Sequence, residues 1–161
     1  MFCQKTVLKN LKVIAFTHKK VDLKDLGKLV ISDELIESYL LSLKNQLAIS
    51  EIFYISTCNR IEFVFTHEEA LSPSFVETFL STLSIGADIA TLASQAVVYE
   101  SVEALNHLFR VSCSLESLVV GEKEILDQIL SSLVHKNLMH ISRGTPARQV
   151  SNPIPLNVIN S

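Results

Sequence analysis

Two runs of β-branched and aromatic residues, EIFYIST (51–57) and IEFVFT (61–66), are separated only by Cys58, Asn59 and Arg60. Such side chains crowd the preceding turn of a helix but pack well on a pleated surface, so both runs read as strands. With three residues between them they are adjacent strands or one bent strand. LKVIAF (11–16) and AVVYES (96–101) have the same character. A helical pattern opens at Ser32: Asp33 and Glu34 fall in its first turn, where the helix dipole favours carboxylates, and apolar residues recur at Leu35, Ile36, Tyr39, Leu40 and Leu43. Pro73 opens a second helix to about Leu83, and from Val102 to about Leu133 the pattern is helical, interrupted at Gly121. The order β, α, β, β, α, β followed by more helix predicts an α+β fold. The expected form is a ferredoxin-like sandwich of about four mainly antiparallel strands, with helices on one face and an additional C-terminal helix.

A chain of 161 residues has room for one domain with one core, and 48% hydrophobic against 19% charged residues supplies the apolar surface to offset ordering of the backbone. Residues 1–135 read as that domain. The closing stretch HISRGTPARQVSNPIPLNVINS carries three of the four prolines and little periodicity, so 136–161 reads as a tail or linker, a composition compatible with disorder. No apolar run approaches the roughly 20 residues of a membrane span, and MFCQKTVLKNLKV at the N-terminus lacks the apolar stretch of a secretion signal. A cytoplasmic protein with no membrane contact is the expectation.

The net charge of −3 would argue against a nucleic-acid partner, but its distribution is uneven. Residues 1–30 hold Lys5, Lys9, Lys12, Lys19, Lys20, Lys24 and Lys28 against Asp22 and Asp25, so this segment is +5 and the remainder −8. A lysine-rich edge suits a phosphate backbone through counterion release, or simply solvates a surface and guards an edge strand.

The four glycines, Gly27, Gly86, Gly121 and Gly144, are too far apart to form a phosphate-cradling loop, so no dinucleotide site is expected in this polypeptide. The histidines show no metal spacing with cysteine or carboxylate, and no metal is expected. Cys3, Cys58 and Cys113 are odd in number and widely spaced, which fits reduced thiols rather than a disulfide framework.

Chemistry concentrates in two segments. In ISTCNRIEF (55–63) a thiol sits where one strand runs out, flanked by Thr57, Asn59 and Arg60, poor choices for the middle of a buried sheet. A guanidinium two residues away, or the donors of a turn, would favour the thiolate, which is the useful nucleophile. Arg60 could alternatively grip a substrate carboxylate through two parallel N–H bonds. The plainer alternative makes Cys58 a small buried hydrophobe and pairs Arg60 with Glu62 on a sheet surface.

The second segment is VEALNHLFRVSCSLESLVVGEKEILDQIL (102–130). At about 100° per residue, His107, Arg110, Ser114 and Ser117 fall within an arc of roughly 80°, with Leu105, Leu108, Phe109, Leu115 and Val119 over much of the other side. Solvent exposure explains a polar face, Arg110 above all. Small hydroxyls beside a histidine suit a site better.

These segments resemble a known family. Ser56, Thr57, Cys58, Asn59 and Arg60, followed after one spacer by Glu62, are similar to the active-site signature of glutamyl-tRNA reductases. HLFRVSCSLESLVVGEKEILDQ (107–128) resembles that family's second signature, in the right order and at about the right distance, and FTHKKVDL (16–23) resembles its N-terminal Asn-His-Lys-Thr-Ala-Pro-Val segment, with Thr17 in place of asparagine. The similarity extends over roughly residues 11–130. Where the family reads Gly-Leu-Asp-Ser and Gly-Glu-Pro-Gln, this chain has Ser114, Leu115, Glu116, Ser117 and then Gly121, Glu122, Lys123, Glu124.

The resemblance implies that Cys58 attacks the ester carbonyl of glutamyl-tRNA, giving a thioester that NADPH reduces to glutamate-1-semialdehyde for tetrapyrrole (porphyrin) synthesis. It makes Thr57, Asn59 and Arg60 holders of the glutamyl group, places Ser117, Glu122, Glu124 and Gln128 among further substrate contacts, and matches His107 to a histidine implicated in activity. Glu122 would suit the substrate's α-ammonium. The resemblance also implies NADPH as cofactor, glutamate-1-semialdehyde aminomutase as a partner, and a homodimer. Since the family's nicotinamide domain and long dimerisation helix follow this region, neither is expected within these 161 residues. Two other classes share the residues: a thiol hydrolase acting on another acyl ester, and a non-catalytic ferredoxin-like module binding tRNA or protein with Cys58 buried.

Overall fold

The computed structural model describes residues 8–112 and the backbone of Met139–Ser142. The strands foreseen are present as β1 (Leu11–Thr17), β2 (Ile52–Ser56), β3 (Arg60–Thr66) and β4 (Val97–Glu100). The helices are α1 (Leu23–Lys28), α2 (Asp33–Leu47), α3 (Pro73–Thr82), α4 (Ile89–Gln95) and α5 (Ser101–Ser112). Sequence periodicity pointed to α2, α3 and α5 but not to α1 and α4. Those two are six and seven residues long, under two turns, and too short to display an apolar repeat. Each is started by a carboxylate: Asp22 accepts from the Lys24 N–H at 2.8 Å, and Asp88 from the Thr91 N–H at 3.3 Å. In α3 the Ser72 hydroxyl accepts from the Phe75 N–H at 3.1 Å, with Pro73 in the first turn.

The fold is α+β. β2 and β3 form an antiparallel hairpin rather than one bent strand, β1 pairs antiparallel with β3, and β4 antiparallel with β1. Met139–Ser142, inside the stretch expected to be tail or linker, forms a fifth strand, β5, parallel to β2. The strand order is β4-β1-β3-β2-β5. The helical pattern expected from residue 113 to about 133 lies outside the described residues.

The two-residue period of a strand sends alternate side chains to opposite faces, and here both faces are covered. Ile14, Phe16, Ile52, Tyr54, Ile61, Phe63 and Phe65 meet Leu26, Leu29, Ile36, Leu40, Leu43, Val76, Phe79, Leu80 and Leu92 from α1–α4 and their connections. Phe63 packs on Tyr54 and edge-on to Phe79, with ring centroids 5.1 and 5.0 Å apart. Tyr54 also ties the helical layer to the sheet: its hydroxyl donates to the Leu29 carbonyl and accepts from the Ile31 N–H, both at 3.0 Å. On the opposite face Val13, Ala15, Ile55 and Val64 receive Ala104 and Leu108 of α5. The additional C-terminal helix thus covers the face that α1–α4 leave open. Arg60, Glu62 and Val64 fall on α5's side of β3 by the same alternation.

Candidate active site at the Cys58 hairpin

Cys58 lies in the bend between β2 and β3. The Thr57 N–H donates to the Arg60 carbonyl at 2.9 Å, closing the turn, and the Asn59 N–H reaches the Thr57 hydroxyl at 3.3 Å. The turn is held from the side as well: the His18 N–H donates to the Asn59 carbonyl at 3.0 Å, with Nδ1 of His18 3.3 Å from the same oxygen. Thr57 and Asn59 are half-buried, whereas Cys58 is exposed at the tip. The reading of Cys58 as a small buried hydrophobe is therefore overturned. A tight turn leaves its central side chain no core to enter.

Arg60 and Glu62 behave differently. An Arg60 guanidinium N–H donates to Glu62 Oε1 at 2.9 Å, but the pair is buried beneath α5 rather than spread on a sheet surface: Arg60 is 7% exposed and Glu62 0%. His107 completes the cluster, with Nε2 3.1 Å from both Glu62 oxygens and a residue exposure of 3%. Its ring stacks on Tyr99 of β4, centroids 4.0 Å apart and planes within 12°. A carboxylate taken wholly out of water carries a large desolvation cost, which the contacts from Arg60 and His107 offset. Sequence reasoning named Arg60 and His107 and offered Glu62 as a surface partner of Arg60; the pairing is present, but its burial and the third member, His107, were not foreseen. The available signal was an acidic residue inside the otherwise apolar run IEFVFT.

α5 turns its polar stripe inward at His107. Ala104, His107 and Val111 are buried, while Val102 and Phe109 are 55% and 58% exposed. Arg110, one turn beyond, is exposed as expected. Ser114, Ser117, Glu122, Glu124 and Gln128 lie outside the described residues.

The lysine-rich segment divides. Lys9, Lys19, Lys20 and Lys24 are exposed, and Lys28 pairs with Asp25 at 2.7 Å. Lys12 is no surface charge: it is 3% exposed and bonded to Glu100 at 3.3 Å across the β1–β4 pair. Lys19 and Lys20 occupy the turn after β1 that His18 fastens to Asn59, at the Cys58 end of the sheet. A cleft of about 520 Å³ lined by Ser50, Glu51, Thr66, His67, Glu68 and Glu69, among others, sits at the opposite strand ends. Among the described residues no group of three or more His, Cys, Asp or Glu could hold a metal ion, and no helix is long and apolar enough to cross a membrane.

The fold and this hairpin define an α+β domain that carries an exposed thiol at a sheet end, two residues from a buried Arg–Glu–His cluster. A family model described as "Glutamyl-tRNAGlu reductase, N-terminal domain" matches residues 14–143. Glutamyl-tRNA reductases from Macrococcus caseolyticus, Campylobacter lari and Prochlorococcus marinus are 37%, 41% and 36% identical over 134, 120 and 121 residues. These alignments cover 83%, 72% and 74% of this chain and 29%, 27% and 28% of those proteins. The structure of glutamyl-tRNA reductase from Methanopyrus kandleri aligns with a TM-score of 0.56 at 26% identity, covering 78% of this chain and 28% of that one. The chain belongs to the glutamyl-tRNA reductase family, matching its N-terminal domain, and spans less than a third of the length of these relatives.

Proposed function

We propose that this domain performs the acyl-transfer half of glutamyl-tRNA reduction. The Cys58 sulfur attacks the ester carbonyl of glutamyl-tRNA. The S–C bond forms, the C–O bond to the terminal ribose breaks, and the thiol proton ends on the departing ribose oxygen. The observation that carries this reading is the exposed Cys58, held by the closed Thr57–Arg60 turn directly before the Arg60–Glu62 pair. Thr57 and Asn59 flank the thiol and are assigned to the glutamyl group, with Arg60 as the cation suited to its oxygens. Ser117, Glu122, Glu124 and Gln128 are assigned to further substrate contacts on their match to the family signature.

In the family the thioester is then reduced with a hydride from NADPH. The residues described here do not fit that cofactor: Gly27 lies within α1 and Gly86 between α3 and α4, neither in a strand–turn–helix cradle, and no step of this proposal runs through it. The β4-β1-β3-β2 order of the four antiparallel strands supports the ferredoxin-like reading, and the pairing of β5 extends the proposed domain to Ser142. The proposed setting is cytoplasmic tetrapyrrole synthesis, with a homodimer and glutamate-1-semialdehyde aminomutase as assembly partners.

The test uses the full chain, glutamyl-tRNA with a labelled glutamyl group, and no NADPH. Label should become trapped in a hydroxylamine-sensitive bond and free glutamate should appear slowly as water cleaves the thioester. Cys58→Ser should trap none, because a serine hydroxyl is a far weaker nucleophile at neutral pH. Equal discharge by wild type and Cys58→Ser, with no label retained by either, would refute the assignment.

A further inference from the structure

Glu62 stands outside the residues that the resemblance assigns to substrate, yet it is the most buried charged group described and the one that joins the hairpin to α5. A carboxylate only accepts hydrogen bonds, so the contacts from both of its oxygens to Nε2 of His107 require the ring proton on that nitrogen. The Tyr99 ring, parallel to the imidazole at 4.0 Å, blocks rotation out of this plane. In its neutral form His107 must then carry its lone pair on Nδ1.

We propose that Glu62 is a positioning residue for acyl transfer: it locks His107 in the Nε2–H form and, held by that ring, anchors the Arg60 guanidinium beside the Cys58 turn. The proposal rests on the thioester reading above. Arg60 is held at a fixed point beside the turn, because the Glu62 carboxylate that it bonds is itself held by His107.

Two measurements test this on the full chain. Heavy-nitrogen-labelled histidine, with the His107 signals identified by their loss in His107→Gln, should show at a pH where the ring is neutral a proton on Nε2 and a pyridine-type Nδ1. A proton on Nδ1 overturns the proposal without reference to any substrate. Discharge of glutamyl-tRNA should then fall on the order of tenfold to a hundredfold in Glu62→Gln, mostly in kcat. His107→Gln should lose a comparable factor, and the double variant little more than either single one, since one residue acts through the other. Glu62→Asp should recover part of the rate. If Cys58→Ser loses discharge while folded Glu62→Gln keeps it in full, or if the losses multiply, Glu62 is only a structural ion-pair partner and the proposal fails. If Glu62→Gln does not fold, the ring-proton position in the wild type decides alone. Full discharge by Cys58→Ser with the expected Nε2–H ring overturns the thioester reading while leaving the Glu62–His107 geometry intact.

Discussion

Both carboxylate oxygens of Glu62 lie 3.1 Å from Nε2 of His107, across 45 positions of sequence and from strand to helix. This contact fastens α5 to the centre of the sheet at a charged point in an otherwise apolar seam of Val13, Ala15, Ile55, Val64 and Ala104. It also couples the stability of the domain to the chemistry proposed for the hairpin, since Arg60 shares the same carboxylate.

Removing Arg60 should therefore be costly in stability as well as in substrate use. Arg60→Met leaves the fully buried Glu62 with His107 as its one remaining partner in the cluster, and a broken buried pair costs about 3–5 kcal/mol. Urea denaturation should show this loss, and adding Glu62→Leu should recover part of it, because the uncompensated charge goes with the carboxylate. A change within about 0.5 kcal/mol for Arg60→Met would show that the pair carries little.

Tyr54 predicts the alkaline side of the stability profile. Burial pushes its phenol above the ordinary tyrosine value of 10.0, against smaller opposing effects of its hydrogen bonds to Ile31 and Ser56. The folded chain thus holds this proton more tightly than the unfolded one. Its contribution is in full force below pH of about 10 and is lost as pH rises through the folded-state value. Tyr54→Phe strips partners from the Leu29 carbonyl and the Ile31 N–H, costing about 1–3 kcal/mol near neutral pH, and should flatten the alkaline fall. An alkaline limb of unchanged steepness in Tyr54→Phe would assign it to other groups.

Lys19 and Lys20 are exposed in the turn fastened to Asn59, which suits the tRNA backbone if the ester must reach Cys58. Replacing both with alanine should weaken tRNA binding and reduce the slope of log Kd against log salt by about 1 for each phosphate that is no longer neutralised. Alkylation of Cys58 should proceed at the wild-type rate in that variant. An unchanged salt slope would move the tRNA-binding surface elsewhere.

The sequence alone was enough for whatever depends on near neighbours. The β-branched runs around Cys58-Asn59-Arg60 mark two strands, Ser32 and Pro73 mark helix starts where α2 and α3 begin, and the alternation in IEFVFT separates Ile61, Phe63 and Phe65 from Arg60, Glu62 and Val64. The signature at Cys58 indicated the family as well. Periodicity tells which residues share a face, but not which face meets the core. That choice belongs to tertiary packing, which turned His107 inward, left Phe109 outside, buried Lys12 against Glu100 and added β5 beside β2. The physical reason is the same in each case. Whether a charged side chain is solvated or buried depends on a partner brought from far along the chain, as Glu100 is to Lys12 and His107 to Glu62, and no local pattern records that meeting.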